Sequence, residues 1–180
     1  LSEEFKHLSN ALKQEKIIDI EVTTAHEAKA LYEHLVLEEV IFATSKLGAM
    51  GVSMGGAISL YFASIFDKVE VVASIVGSPD FVNFYQYKQE VYQFPKGDIY
   101  EERLKKYQEI DPLINYQSLK GKKIFLSIGL RDKIVPHIYA KRLSELIKTT
   151  YQEYDLEHES NEEMRQEVIK FIEVSLSQSG

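Results

Sequence analysis

The sequence predicts an α/β domain, a mostly parallel β-sheet flanked by helices, on three observations. Val69–Val76 and Lys123–Ile128 are continuous apolar runs without alternation, the pattern of strands covered on both faces. Helical periodicities separate or follow them, as in Ile138–Ile147 and Glu162–Leu176. A glycine-rich turn also joins the uncharged run Leu47–Val52 to the apolar helical segment Ala57–Phe66.

Length and charge set the bounds. A chain of 180 residues, 44% hydrophobic, makes one domain with a sizeable core. With 21 basic against 28 acidic residues, a formal charge of -7 argues against a phosphate-tracking face, so no nucleic-acid partner is expected. The absence of cysteine excludes disulfides, thiolate metal ligands and a cysteine nucleophile. No apolar run approaches the roughly 20 residues that span a bilayer. Leu1-Ser2-Glu3-Glu4-Phe5-Lys6 has the wrong charge and hydropathy for a secretory signal. A cytoplasmic protein without a membrane partner is the expectation. The first residue is not Met, so the start is expected to be a processing or cloning boundary.

Taken in order, the first element is a helix over Ser2–Gln14, with Phe5, Leu8, Ala11 and Leu12 at helical spacing. Ile17-Ile18-Asp19-Ile20-Glu21-Val22 reads as a short strand. Thr24-Ala25-His26-Glu27 has the capping-box pattern, predicting a helix from there to about Ala43. After the strands Leu47–Val52 and Val69–Val76 the periodicity breaks down between Phe81 and Tyr116. That segment concentrates aromatics (Phe81, Phe84, Tyr85, Tyr87, Tyr92, Phe94, Tyr100, Tyr107 and Tyr116) around Pro95-Lys96-Gly97-Asp98. It reads either as a helical excursion packed on the sheet or as a cap over a pocket. The strand Lys123–Ile128, the helix Ile138–Ile147, a strand over Tyr151–Leu156 and the helix Glu162–Leu176 complete the chain.

Gly51-Val52-Ser53-Met54-Gly55 matches G-x-S-x-G, with Gly56 following. At ordinary glycine and serine usage about 0.06 accidental matches are expected in such a chain, so the pentapeptide alone is moderately specific. A buried strand before it and a buried helix after it sharpen the signal. A serine on a tight strand-to-helix turn sits in strained backbone, and residues two before and two after crowd that turn unless they are glycine. The turn lifts Oγ out of the sheet and aims the helix N-terminus, with the Met54 N–H, at a developing oxyanion.

A serine hydroxyl needs a base, and the base a carboxylate to orient it. In chain order Ser, Asp, His, the expected set is Ser53, Asp132 and His158. Asp132 follows the Lys123–Ile128 strand, where open α/β sheets place working groups. His158 precedes the capping box Ser160-Asn161-Glu162-Glu163 of the last helix. His137, at a helix start after Pro136, is the rival base, and Asp80, Asp111 and Asp155 are the alternative acids. His7, His26 and His34 lie on helical segments and read as solvated. No metal-ligand motif or phosphate-binding glycine array is present, so neither a metal nor a cofactor is expected.

From about Ser45 onward the chain resembles an α/β-hydrolase of the prolyl-oligopeptidase-like or dienelactone-hydrolase-like esterase branch. Gly51–Gly56, Gly77-Ser78-Pro79, Asp111-Pro112, Gly129-x-x-Asp132-x-x-Val135-Pro136 and His158-Glu159 carry the resemblance. It implies a serine esterase working through an acyl-enzyme on a small-molecule ester, with its triad on Ser53, Asp132 and His158 and its first oxyanion donor on Met54. The N-terminus departs from the pattern: nothing before Gly51 contains the His-Gly loop that supplies the second oxyanion donor, and about 50 residues are too few for the family's first strands. The expectation is an N-terminally reduced fold, or a fragment. It leaves the Leu47–Val52 strand with an edge that Ile17–Val22, the Phe5–Leu12 helix or a second copy of the chain must cover.

Overall fold

The computed structural model describes residues 3–177. Four strands, β1 (Leu47–Val52), β2 (Val69–Ile75), β3 (Lys123–Gly129) and β4 (Thr150–Tyr154), form one parallel sheet in chain order. Side-chain alternation divides β2 and β3 between two cores. Val72, Ile124, Leu126 and Ile128 face the larger one, while Ala73, Ile75 and Phe125 face the smaller. This two-sided burial is why both strands read as unbroken apolar runs.

Three N-terminal helices precede the sheet: α1 (Glu3–Lys6), α2 (Asn10–Glu15) and α3 (Ile17–Leu37). The larger core is filled from α3, α4 (Met54–Ile65), α5 (Phe81–Tyr92), α6 (Asp98–Ile110) and α7 (Ile138–Leu146). The smaller core is closed by α8 (Glu162–Ser177) through Met164 and Val168.

The N-terminal reading needs correction. Ile17–Val22 is not a strand but the first turns of α3. Ile18, Val22, Ala25 and Tyr32 recur at helical spacing, and all four are buried. That long stripe outweighs the local β preference of Ile-Ile-Asp-Ile-Glu-Val. Thr24–Glu27 lies inside α3 and starts nothing, and the helix ends at Leu37 rather than near Ala43. The expected first helix is broken into α1 and α2, with the Ser9 side chain capping the second by accepting from Leu12 N at 3.3 Å; Ser2 lies outside the described residues. Among the described residues β1 therefore pairs only with β2, and its other edge is open.

The aromatic segment folds into α5, α6 and a 3-10 turn at Tyr116–Leu119. Tyr85 is its centre, stacked on Tyr100 at 5.1 Å and edge-on to Tyr107 at 5.0 Å. Arg103 on α6 bonds Glu15 at 2.6 Å and Asp19 at 3.0 Å, and Lys106 bonds Asp19 at 2.8 Å. These ion pairs bind the segment to α2 and α3.

Candidate active site

β1 ends at Val52 and α4 begins at Met54, so Ser53 alone turns the chain, at φ 56° and ψ -118°. A positive φ at a non-glycine residue costs about 1–3 kcal/mol and persists only when its surroundings fix it. Here the Ser53 N–H donates to Ile75 O on β2 at 2.7 Å, and Gly56 and Ala57 N–H donate back to Ser53 O at 2.9 and 3.1 Å. A β-carbon on Gly51 would lie 2.2 Å from the Gly55 carbonyl carbon, so no side chain fits there. One on Gly55 would meet nothing within 4 Å. Crowding of the turn is thus one-sided, not symmetric as the motif suggests.

The structure brings Ser53, His158 and Asp132 together. Ser53 Oγ lies 2.6 Å from His158 Nε2, and His158 Nδ1 lies 2.7 Å from Asp132 Oδ2. The other Asp132 oxygen accepts the N–H groups of Ile134 at 2.8 Å and Val135 at 2.9 Å. With its side chain 1% exposed, the Asp132 carboxylate is an acceptor on both oxygens; the network assigns the proton on Nδ1 and leaves Nε2 to accept from the serine. The three residues follow β1, β3 and β4, at the C-terminal ends of parallel strands.

Their loops are tied together by main chain. Leu130 N–H donates to Tyr154 O at 2.8 Å, and Arg131 N–H to Leu156 O at 3.0 Å. Met54 contributes the first amide of α4, at the positive end of the helix dipole and beside Ser53.

The alternative residues are engaged elsewhere. Asp80 caps α5 through Asn83 N at 2.9 Å and pairs with Arg142 at 3.3 Å. Asp111 accepts the N–H groups of Val82, Leu113 and Ile114 at 2.9, 2.7 and 3.0 Å, and burial pushes its carboxyl up to about 6. Asp155 pairs with Arg131 at 3.0 Å on the surface. His137 occupies the N-cap position of α7, and His7, His26 and His34 are exposed.

A cavity of about 210 Å³ opens beside Ser53, lined among others by Gln14, Ile17, Glu21, Phe84, Lys88 and Tyr92. Sequence reasoning missed Glu21 and Lys88, which are 1% and 3% exposed. The available signal was the four-residue spacing of Phe84, Lys88 and Tyr92, one stripe of α5. Burial pushes the Glu21 carboxyl up to about 8 and lowers the Lys88 ammonium from its ordinary value. A cavity of about 640 Å³ lies at the other end of the sheet, around Lys123 and Thr150, away from the serine. Among the described residues no histidine–carboxylate cluster is placed to hold a metal, and no helix is long and apolar enough to cross a membrane.

A parallel sheet that presents a serine at a strand-to-helix turn, with aspartate and histidine on later strand-end loops, defines the α/β-hydrolase class. The chain belongs to the prolyl oligopeptidase family, whose model matches residues 6–163. The candidate esterase YitV of Bacillus subtilis (strain 168) is 26% identical over 141 residues, 75% of this chain and 55% of that protein. The chain thus spans about half the length of this relative. A puromycin-hydrolyzing peptidase of Mycobacterium tuberculosis superposes with a TM-score of 0.62 at 19% identity, over 79% of this chain and 24% of that one. An acylaminoacyl peptidase of Pyrococcus horikoshii gives 0.63 at 19%, over 81% and 26%. An esterase of Pyrococcus furiosus gives 0.60 at 19%, over 94% and 65%. At these identities the structures share the fold.

Proposed function

We propose that the chain is a serine hydrolase that cleaves carboxylic esters through an acyl-enzyme. The observation that carries this reading is the continuous relay from Ser53 Oγ through His158 to Asp132, at 2.6 and 2.7 Å. In the first half-reaction His158 Nε2 takes the Ser53 proton as Oγ attacks the ester carbonyl. The Met54 N–H donates to the oxyanion, and the imidazolium then protonates the leaving alcohol. In the second half-reaction water gives its proton to Nε2, attacks the acyl carbon, and Ser53 Oγ leaves with that proton. Asp132 holds the imidazole tautomer throughout and stays ionised.

No cofactor enters this chemistry. Phe84 and Tyr92, from the aromatic segment, help shape the pocket beside the nucleophile. The family pattern asks for a second oxyanion donor on a His-Gly loop, a pair that residues 1–50 of this sequence do not contain. One missing donor lowers the rate about 100- to 1,000-fold. A chain without that donor fits a second reading, a hydrolase-like module that binds without turning over.

Short-chain 4-nitrophenyl esters separate the two. The hydrolytic reading expects a burst of nitrophenol stoichiometric with chain, then a steady rate above that of Ser53→Ala. Rates equal to the Ser53→Ala background would leave only the binding reading.

A further inference from the structure

Two ionisable side chains in the cavity beside Ser53 take no part in the relay. Glu21, from α3, is buried, and its Oε2 has no hydrogen-bond partner. Lys88, from α5, is equally buried. Its ammonium sits over the rings of Phe84 at 4.7 Å and Tyr92 at 5.3 Å, and among the described residues no hydrogen bond or ion pair engages it. Gln14 Oε1 is a third buried polar atom without a partner in the same cavity. Buried polar atoms are almost always satisfied, and a lysine over aromatic faces recovers only part of its lost hydration.

We propose that this cavity is the acyl pocket for a carboxylate-bearing substrate, with Lys88 receiving the free carboxylate of a half-ester of a short dicarboxylic acid. The inference rests on the hydrolytic reading of Ser53, which opens into the same space. Charge decides the class of ligand. Burial raises the Glu21 carboxyl to about 8 against the pull of the Lys88 charge, which favours its protonated, donor form at neutral pH, and no ion pair joins the two side chains among the described residues. The other nearby acid, Asp132, is already occupied by His158 and two backbone amides. The cavity therefore holds a buried cation that feels Glu21 and Asp132 only at a distance, with no directly bonded counter-ion, and a carboxyl whose Oε2 has no partner. Turning the Gln14 amide by 180° adds a second neutral donor.

A substrate ammonium would be repelled by Lys88, and a plain alkyl chain would leave all three polar groups unmet. A carboxylate meets them together, with a charge-assisted bond to Lys88. Size decides the length. About 210 Å³ lies below the 300–1,000 Å³ typical of pockets for larger ligands, which restricts the acyl part to a few carbons.

The test compares kcat/KM of the full chain on mono-4-nitrophenyl glutarate and on 4-nitrophenyl pentanoate, its uncharged counterpart. The expected wild-type ratio favours the glutarate at least tenfold, and Lys88→Met lowers that ratio about tenfold or more while Lys88→Arg retains most of it. Calorimetric binding of monomethyl glutarate against methyl pentanoate to the Ser53→Ala chain makes the same comparison without turnover. Selective binding there, lost with Lys88→Met, upholds the pocket even if hydrolysis fails. A wild-type ratio of one or less overturns the proposal, whatever the variants do. So does a ratio unchanged in Lys88→Met, or the absence of both turnover and binding.

Discussion

Gly129 at the end of β3 closes directly on Glu157 in the loop before α8: a β-carbon on Gly129 would lie 2.4 Å from the Glu157 carbonyl oxygen. This seam joins the loop that carries Asp132 to the loop that carries His158. Gly129→Ala must therefore push one loop off the other while leaving the sheet paired. On the proposed hydrolytic reading, turnover of 4-nitrophenyl esters should fall about 100-fold, the loss that follows from misplacing a catalytic group by about 1 Å. Far-UV circular dichroism should stay native. Unchanged kcat in a folded Gly129→Ala chain would show that the seam does not set the geometry.

The two glycines flanking Ser53 should differ sharply. Gly51→Ala drives its new carbon into the Gly55 backbone at 2.2–2.8 Å, where nothing flexible can yield. A loss on the order of 3 kcal/mol is expected in urea unfolding. Gly55→Ala enters open space on a helix and should be neutral or slightly stabilising. Equal losses at both positions would contradict the one-sided turn.

Burial raises two carboxyls, Glu21 to about 8 and Asp111 to about 6, so the folded chain holds protons that the unfolded chain has released. Their contribution to stability is full below the unfolded values, near pH 4, and is lost as pH rises through about 6 and then about 8. Thermal melts should accordingly weaken between about pH 5 and 8. Glu21→Gln keeps the shape and removes the upper part of that slope, gaining on the order of 2 kcal/mol at about pH 8. A melting temperature equally pH-dependent in Glu21→Gln would place the effect elsewhere.

The sheet and the relay were legible in the sequence for the same reason. β2 and β3 are apolar on both faces, which marks them, and the serine, aspartate and histidine lie on turns just past strand ends, where chain order is informative. The N-terminal third was harder. Ile17–Val22 has the composition of a strand, and only the later residues Ala25 and Tyr32 reveal that Ile18 and Val22 begin a helical stripe. Glu21 was not legible, and Lys88 was marked only by its four-residue spacing from Phe84 and Tyr92 on α5. Glu21 and Lys88 come from different helices, and their burial beside Ser53 exists only once α3 and α5 pack over the turn.

With Ile17–Val22 helical, the open edge of β1 has no intramolecular strand beside it among the described residues. Met50 and Val52 are 48% and 42% exposed on this strand. We expect the 180-residue chain to self-associate with rising concentration in sedimentation experiments. Met50→Lys should weaken the association by placing a charge on the edge strand. A monodisperse monomer at high concentration would show that the edge does not recruit a second copy.

Reaction of the chain with a fluorophosphonate probe, read by peptide mass spectrometry, tests the activated serine most directly. The relay predicts a single stoichiometric adduct on Ser53, absent in Ser53→Ala and slowed about 10,000-fold or more in His158→Ala. An adduct on another residue, or labelling of Ser53 that proceeds equally fast without His158, would contradict it.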